Sequence, residues 1–229
     1  MTQTGQPAIR DYHLENWVWD RNSKPAEVLL SSTHEAAYFY IDPIIESTGT
    51  VAVRGTKGFA DGEHYWEIVF LEPPIGTSVM IGVGTRKAQL KSKHYQYIHL
   101  LGKDKESWGL SYKGFIWHNG ISKRYCDPFY ERSTVIGVLL NRYKGTLSFF
   151  KNGVSLGEAF NGLNAVKEPL YPMISSSATQ TELELGARTC RYVTLQEKCF
   201  SKIRNSLQDT DSIDNLPLPR LMKLHLKML

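Results

Sequence analysis

With 229 residues, 41% hydrophobic and 22% charged, the chain has room for one sizeable β domain and an appendage, and its composition excludes wholesale disorder. The net charge of +4 comes from 27 basic residues scattered among 23 acidic ones; no basic run offers the electrostatic footprint of a nucleic-acid binder. Cys126, Cys190 and Cys199 are odd in number and without paired spacing, which points to free thiols and a reducing compartment.

Met1 to Arg10 is polar, without the apolar centre of a signal peptide, and no run of about 18 apolar residues follows. A soluble intracellular protein is expected, with no membrane partner. From Trp17 to Leu185 short apolar or alternating runs are broken by Gly, Asn, Asp and Pro, the pattern of an antiparallel β-sandwich. In His64-Tyr65-Trp66-Glu67-Ile68-Val69-Phe70 the residues Trp66, Ile68 and Phe70 share one face and Tyr65 and Glu67 the other, so a half-buried strand is expected. Val79 to Val83 is continuously apolar and closed by Gly82 and Gly84, as in a strand buried on both sides or sharply curved.

Trp108 to Tyr112 turns into Phe115 to His118 through Lys113-Gly114, and Val135 to Leu140 leads into Thr146 through Tyr143-Lys144-Gly145. Asn152-Gly153 between Thr146–Lys151 and Val154–Gly157 tolerates the positive φ angles of a type I′ hairpin. After Gly186 the composition changes. A helix is expected from Val193 to Leu207, then a polar acidic linker from Gln208 to Asn215, then a second helix whose first position is Pro219.

Leu195, Cys199 and Ile203 stand four apart and form one apolar stripe on that first helix, opposite Gln196, Glu197, Lys198, Ser201 and Lys202. The stripe fits docking to another protein or packing against the chain's own sandwich. A leucine on a first turn can fill a partner's pocket, worth about 1.5 to 3 kcal/mol, and a cysteine one turn on lets that surface come close. Leu216-Pro217-Leu218-Pro219 favours docking, because prolines hold a recognition segment extended at low entropic cost.

The seven histidines carry no metal-ligand spacing, and neither metal nor cofactor is implied. Gly82-Val83-Gly84-Thr85 lacks the third glycine and helix of a dinucleotide loop, and no nucleophile elbow occurs. Trp17, Trp19, Trp66, Trp108 and Trp117 are expected in the core or at its edges.

The runs Val53-Arg54-Gly55-Thr56-Lys57, His64 to Ile68, Ile81 to Thr85, Leu100-Leu101-Gly102, Ser107 to Tyr112, Gly145 to Phe150 and Leu170 to Met173 resemble a SPRY domain. The C-terminal segment resembles a SOCS box, so the chain from Trp17 to Leu229 is similar to the SPRY domain-containing SOCS box family. The resemblance implies a mainly β fold, a SPRY-type antiparallel β-sandwich with a short C-terminal α-helical SOCS box. Its divisions would be an N-terminal extension (1–16), the substrate-binding sandwich (17–187) and the SOCS box (188–229), with an elongin-C box near 194–203 and a cullin box near 216–229.

By the same resemblance Thr194, Leu195, Cys199 and Ile203 would bind elongin-C, itself paired with elongin-B, and Leu216, Pro217, Leu218 and Pro219 would select cullin-5 with its RING subunit. A target's short Asn-containing degron would lie against Pro43, Ile45, Glu46, Arg54, Gly55, Thr56, Tyr95 and Leu100. Gly55 would admit the peptide backbone, Arg54 would offer its donors, and Arg54→Ala is expected to weaken binding with the domain intact. Arg54 has the alternative of pairing locally with Glu63 or Asp61. The chain departs from the family at Asp42, at the longer Gln96–His99 loop, and at Ser175-Ser176-Ser177-Ala178-Thr179, where relatives carry Val-Trp. The expected function is a non-catalytic substrate receptor of a ubiquitin ligase that promotes target ubiquitination and proteasomal degradation. The alternatives are a SPRY interaction module whose C-terminal helices only complete the fold, and a hydrolase on a β-sandwich.

Overall fold

The computed structural model describes residues 12–40, 49–93, 96–192, 194–207 and 211–228. The chain divides into two compact units, Met1–Arg191 and Tyr192–Leu229. The strands of the first are β1 (His13–Leu14), β2 (Val28–Leu30), β3 (Ala36–Phe39), β4 (Val51–Arg54), β5 (Glu63–Phe70), β6 (Val79–Gly84) and β7 (Ser107–Ser111). They continue with β8 (Phe115–His118), β9 (Ile121–Arg124), β10 (Val135–Asn141), β11 (Thr146–Lys151), β12 (Val154–Phe160), β13 (Tyr171–Ser176) and β14 (Thr181–Arg191).

Two antiparallel sheets result. The 8-stranded one runs β12-β11-β10-β5-β14-β3-β2, with β1 added against β14, and the 6-stranded one runs β4-β13-β6-β7-β8-β9. In β5 burial alternates strictly, and His64, Trp66, Ile68 and Phe70 point inward. Trp66 stands opposite Val138 and Ile68 opposite Ile136, so the two strands present one apolar surface. That surface meets Val51, Val53, Val79, Ile81, Val83 and Ile174 of the second sheet in a single core. Trp17, Trp19, Trp66 and Trp108 are all buried there. Full burial of each large apolar side chain contributes about 1.5 to 3 kcal/mol.

The second sheet is also covered on its outer face. Ala52, Met80 and Met173 pack beneath Ala88, Leu100 and Leu101, which belong to the long connection between β6 and β7. This is why β4, β6 and β7 are buried at every position. The cover is pinned by its backbone: Ala52 N–H donates to the Leu90 carbonyl at 2.8 Å and Ser92 N–H to the Thr50 carbonyl at 2.8 Å. The Thr50 hydroxyl donates to the Ile98 carbonyl at 2.8 Å and accepts from the Ile98 N–H at 2.9 Å.

The hairpin predicted at Asn152-Gly153 forms, with φ of 50° and 79°. A second one, Asn119-Gly120 between β8 and β9, has φ of 51° and 74°. Two expected boundaries move. Residues 12–16 are not an appendage, since His13 and Leu14 pair with Cys190 and Thr189. Nor does the sandwich end at residue 187: Gly186 sits in a bulge of β14 between Leu185 and Arg188, where a Cβ would lie 2.9 Å from that of Glu67, and the strand continues to Arg191.

In the second unit α1 (Leu195–Ser206) and α2 (Arg220–Met228) enclose a 3-10 turn at Asp211–Asn215. Phe200, Ile213 and Leu226 are buried together, with Ile203, Leu207, Leu216 and Leu218 packed around them. The supposed linker therefore contributes to a core. Ile213, the one apolar residue in that acidic run, is wholly buried. Pro219 precedes α2 and caps it through its carbonyl, which accepts from Met222 N–H at 3.0 Å and Lys223 N–H at 3.2 Å.

Glu15 ties the first residues to the sandwich. Its buried carboxylate accepts from the Lys57 ammonium at 2.6 Å and lies 3.1 Å from His64 Nδ1. Burial alone would raise its pKa, but the hydrogen bonds and charges of His64 and Lys57 outweigh that and hold it below the usual carboxylate value. Glu15→Ala would leave His64 without its acceptor, so a loss of about 3 kcal/mol is expected in urea unfolding, at the low end for a broken buried pair because Lys57 is half in solvent.

Candidate binding surfaces

The Leu195–Cys199–Ile203 stripe divides between two environments. Leu195 is 78% exposed on the first turn of α1, Thr194 before it and Cys199 after it are exposed, and Ile203 is half-buried against the helical core. A step of four residues overshoots one helical turn by about 40°. Over two steps the stripe swings from the outer face toward the side where Phe200 and Leu207 lie. Leu216 and Leu218 also pack against that core, and Pro217 and Pro219 are exposed. The leucines between the prolines thus have an internal role that the sequence argument for docking did not assign. On α2, Leu221 is 82% and Leu224 51% exposed, one turn apart on a face away from buried Leu226.

On the sandwich, Pro43, Ile45, Glu46 and Tyr95 lie outside the described residues. Of the other four expected pocket residues, Thr56 alone is exposed. Leu100 is buried in the cover over the second sheet. Gly55 does accept a close neighbour, but it is the Trp17 ring, which a Cβ there would approach to 3.1 Å. Arg54 is 5% exposed, its guanidinium donates to the Ala88 carbonyl at 3.0 Å, and it lies 5.5 Å from the Tyr171 ring centroid. Neither local carboxylate takes it: the Glu63 carboxylate accepts from Tyr12 and Asn141, and no ion pair joins Arg54 to Asp61 among the described residues. Arg54 and Leu100 thus fasten the outer layer and Gly55 seats the Trp17 ring, so none of the three presents an open surface to a ligand.

The family's Val-Trp position is occupied by an interior hydroxyl network. Ser177 Oγ accepts from Ser78 N–H at 2.8 Å and donates to the Ser78 carbonyl at 3.1 Å, and the Ser176 and Thr181 hydroxyls are 2.8 Å apart. Glu15, His64 and Cys190 are the group among the described residues with metal-ligand spacing. Their electrostatics suit an ion pair better than a metal. His64 Nε2 faces the Asp61 carbonyl at 2.7 Å and Nδ1 faces Glu15, whose other oxygen already holds the Lys57 ammonium.

The SPRY domain profile matches residues 63–188, more than half of the chain. The chain belongs to the SPRY domain family. It is 37% identical over 209 residues to SPRY domain-containing SOCS box protein 3 of Xenopus tropicalis, a match covering 91% of this chain and 56% of that protein. The chain therefore spans little more than half the length of this relative. It is also 37% identical over 150 residues to F-box/SPRY domain-containing protein 1 of Drosophila grimshawi, covering 63% of this chain and 57% of that one. The crystal structure of the TRIM65 PSpry domain superposes with a TM-score of 0.60 at 22% identity, over 75% of this chain and 90% of that domain, a likeness of fold. No helix among the described residues is long and apolar enough to cross a membrane.

Sequence reasoning passed over Phe200, although Phe200, Ile203 and Leu207 carry the three-and-four spacing of a second helical face. It also passed over His99 in the SPRY outer layer. The His99 ring lies on Trp117, with centroids 4.5 Å apart, and its Nδ1 is 3.0 Å from the Ser78 hydroxyl.

Two outcomes follow for this layer. Arg54→Ala strands the Ala88 carbonyl and empties a packed site, so we expect a stability loss of about 2 kcal/mol in denaturant, with target affinity per folded molecule unchanged. Burial, aided by the charge of Lys113, pushes the His99 pKa below the ordinary imidazole value. The unfolded chain then takes up that proton first, and the contribution of His99, complete above the ordinary value of 6.5, is lost as pH falls through the folded value. Denaturant midpoints measured from pH 7 to 5 should fall, and His99→Gln should flatten that decline.

Proposed function

We propose that this chain is the substrate receptor of a cullin-RING ubiquitin ligase, its SPRY sandwich holding a target and its helical unit docking elongin-C with elongin-B and cullin-5. The observation that carries the proposal is Leu195, 78% exposed on the first turn of a helix whose opposite side is occupied by its own small core. A large apolar side chain held out by a folded support, beside the small exposed Cys199, is arranged to enter another protein's pocket. The relative named as a SOCS box protein adds support, because a match over 91% of the chain must run past Tyr192 into the helical unit.

In this role the chain performs no bond chemistry. It raises the effective concentration of a target lysine near a ubiquitin-charged enzyme carried by other subunits, leading to ubiquitination and proteasomal degradation. Thr194 and Leu195 with Cys199 form the elongin-C contact, Ile203 supports it from the core side, and Pro217 and Pro219 present the cullin-selecting segment between the half-buried Leu216 and Leu218. The degron contact falls to Pro43, Ile45, Glu46, Thr56 and Tyr95, with a short Asn-containing segment as ligand and an intracellular setting as context.

A second reading is favoured by the inward packing of Ile203, Leu216 and Leu218: the helices complete the fold and dock nothing. The two part company in a pull-down. Leu195→Asp with Cys199→Asp, both on exposed positions, should cut recovery of elongin-B/C by about tenfold or more with the melting temperature unchanged. Undiminished recovery favours the second reading.

A further inference from the structure

The large sheet carries a cleft on its solvent side, where β2, β3 and the first half of β14 run together. It measures about 280 Å³ and is lined by Leu29, Leu30, Ser31, Ala36, Tyr38 and Glu182. That is less than the roughly 300 Å³ at which pockets for whole small ligands begin, and leaves room for one side chain of a larger partner. β2 and β3 precede residue 63, where the SPRY profile match begins, so they lie outside the matched residues.

Alternating burial fixes which side chains face the cleft. Ala37, Phe39, Leu183 and Leu185 enter the sandwich core, which turns Tyr38, Glu182 and Glu184 outward. Leu29 stands opposite Tyr38 and Tyr38 opposite Glu182, forming one cross-strand row of an apolar side chain, an aromatic ring and a carboxylate. Neighbouring strands lie about 4.8 Å apart, so the row runs about 10 Å from leucine to glutamate. Glu184 follows two residues along, opposite Ala36, whose small side chain leaves the floor open.

Both carboxylates are uncommitted. Glu182 and Glu184 make no ion pair or side-chain hydrogen bond among the described residues, while cations of adjoining segments are engaged elsewhere: Lys91 with Glu27, Arg132 with Glu72 and Arg188 with Glu35. The strand edge beside the cleft is closed, because Val28 N–H donates to the Pro25 carbonyl at 3.2 Å and the Lys24 ammonium donates to the Val28 carbonyl at 2.5 Å. An occupant therefore lies across the face and does not add a strand.

We propose that this cleft receives an arginine side chain from the surface of a partner protein, with its aliphatic stem along Leu29, its guanidinium over the Tyr38 ring and its donors on Glu182 and Glu184. Each part of the row selects a part of that residue. A planar cation that stays charged stacks on an aromatic face and reaches two carboxylates at once, which neither an anion nor a neutral ring does. Nucleic acid and anionic lipid meet the carboxylates with like charge, and a second copy placed by two-fold symmetry would set Glu182 near Glu182. The site lies on strands, apart from the loop residues proposed for the degron, and holds whether or not the helical unit docks a ligase.

The test is an NMR titration of the ¹⁵N-labelled full chain with the blocked peptide acetyl-Leu-Arg-Leu-amide, following the backbone amide signals of Leu29, Tyr38 and Glu182. Those signals should shift saturably with a dissociation constant of about 1 mM, the strength expected of one side chain. Acetyl-Leu-citrulline-Leu-amide, which keeps the shape and loses the charge, should bind about tenfold more weakly. Glu182→Gln with Glu184→Gln should bring the arginine peptide down to the citrulline level, while signals elsewhere in the spectrum keep their positions. Signals unmoved at about 10 mM peptide, equal shifts with both peptides, or an arginine preference retained in the double variant would overturn the proposal. So would shifts that appear with rising protein concentration alone, since a second copy of the chain would then be the occupant.

Discussion

A sheet buried on both faces has no side left for solvent, and this constraint organises the SPRY unit. Arg54 apart, β4, β6 and β7 carry apolar or small residues on each face because one face meets the opposing sheet and the other meets the connection that returns over it. Strand glycines serve the second contact. At Gly109 a Cβ would lie 2.7 Å from that of Leu101, so only glycine lets the cover come down onto β7. The cover in turn protects an edge, since its backbone hydrogen bonds engage β4 at Ala52 and the adjacent Thr50, groups that would otherwise be open to another strand.

The same covering explains where binding groups can be. Whatever faces the outer side of β4, β6 and β7 is enclosed, and Arg54 and Leu100 are spent on holding the layer together. Groups at its margin remain reachable, including Thr56 near one end and the rings of Tyr97 and Trp117 beside the β8–β9 turn. Burying Arg54 with one carbonyl and a tyrosine ring, and no carboxylate at ion-pair distance among the described residues, depresses its pKa through desolvation foremost. Such a cation is tolerated because guanidinium is weakly hydrated and keeps its proton.

The helical unit follows a different economy of apolar surface. Three short elements pool Phe200, Ile213 and Leu226 into a core, and Lys227 and Lys223 secure the intervening turn through the Asp214 carboxylate and carbonyl, each at 2.7 Å. Leu195, Leu221 and Leu224 are left over from that core. Isolated exposed leucines are common on protein surfaces, so the first turn of α1 is distinguished by the combination of exposure, rigid support and small neighbouring Cys199.

Much of the architecture was legible in the amino-acid order. Period-two burial in β5, the continuous apolar run of β6 and the Asn152-Gly153 turn follow from local rules, since side-chain alternation and positive φ are properties of a few neighbouring residues. The family motifs and the helix positions were equally readable. What the order alone did not reveal was which of two candidate surfaces each residue would face. Arg54 became interior because a segment more than thirty residues away in sequence folds over it, Leu100 because it lies in that segment and packs down on the sheet, Gly55 because Trp17 lies against it, and Ile213 because two helices needed a third element. Local pattern determined strand, turn and helix; long-range packing decided exposure, because burial depends on the partner that arrives and not on the residue that waits.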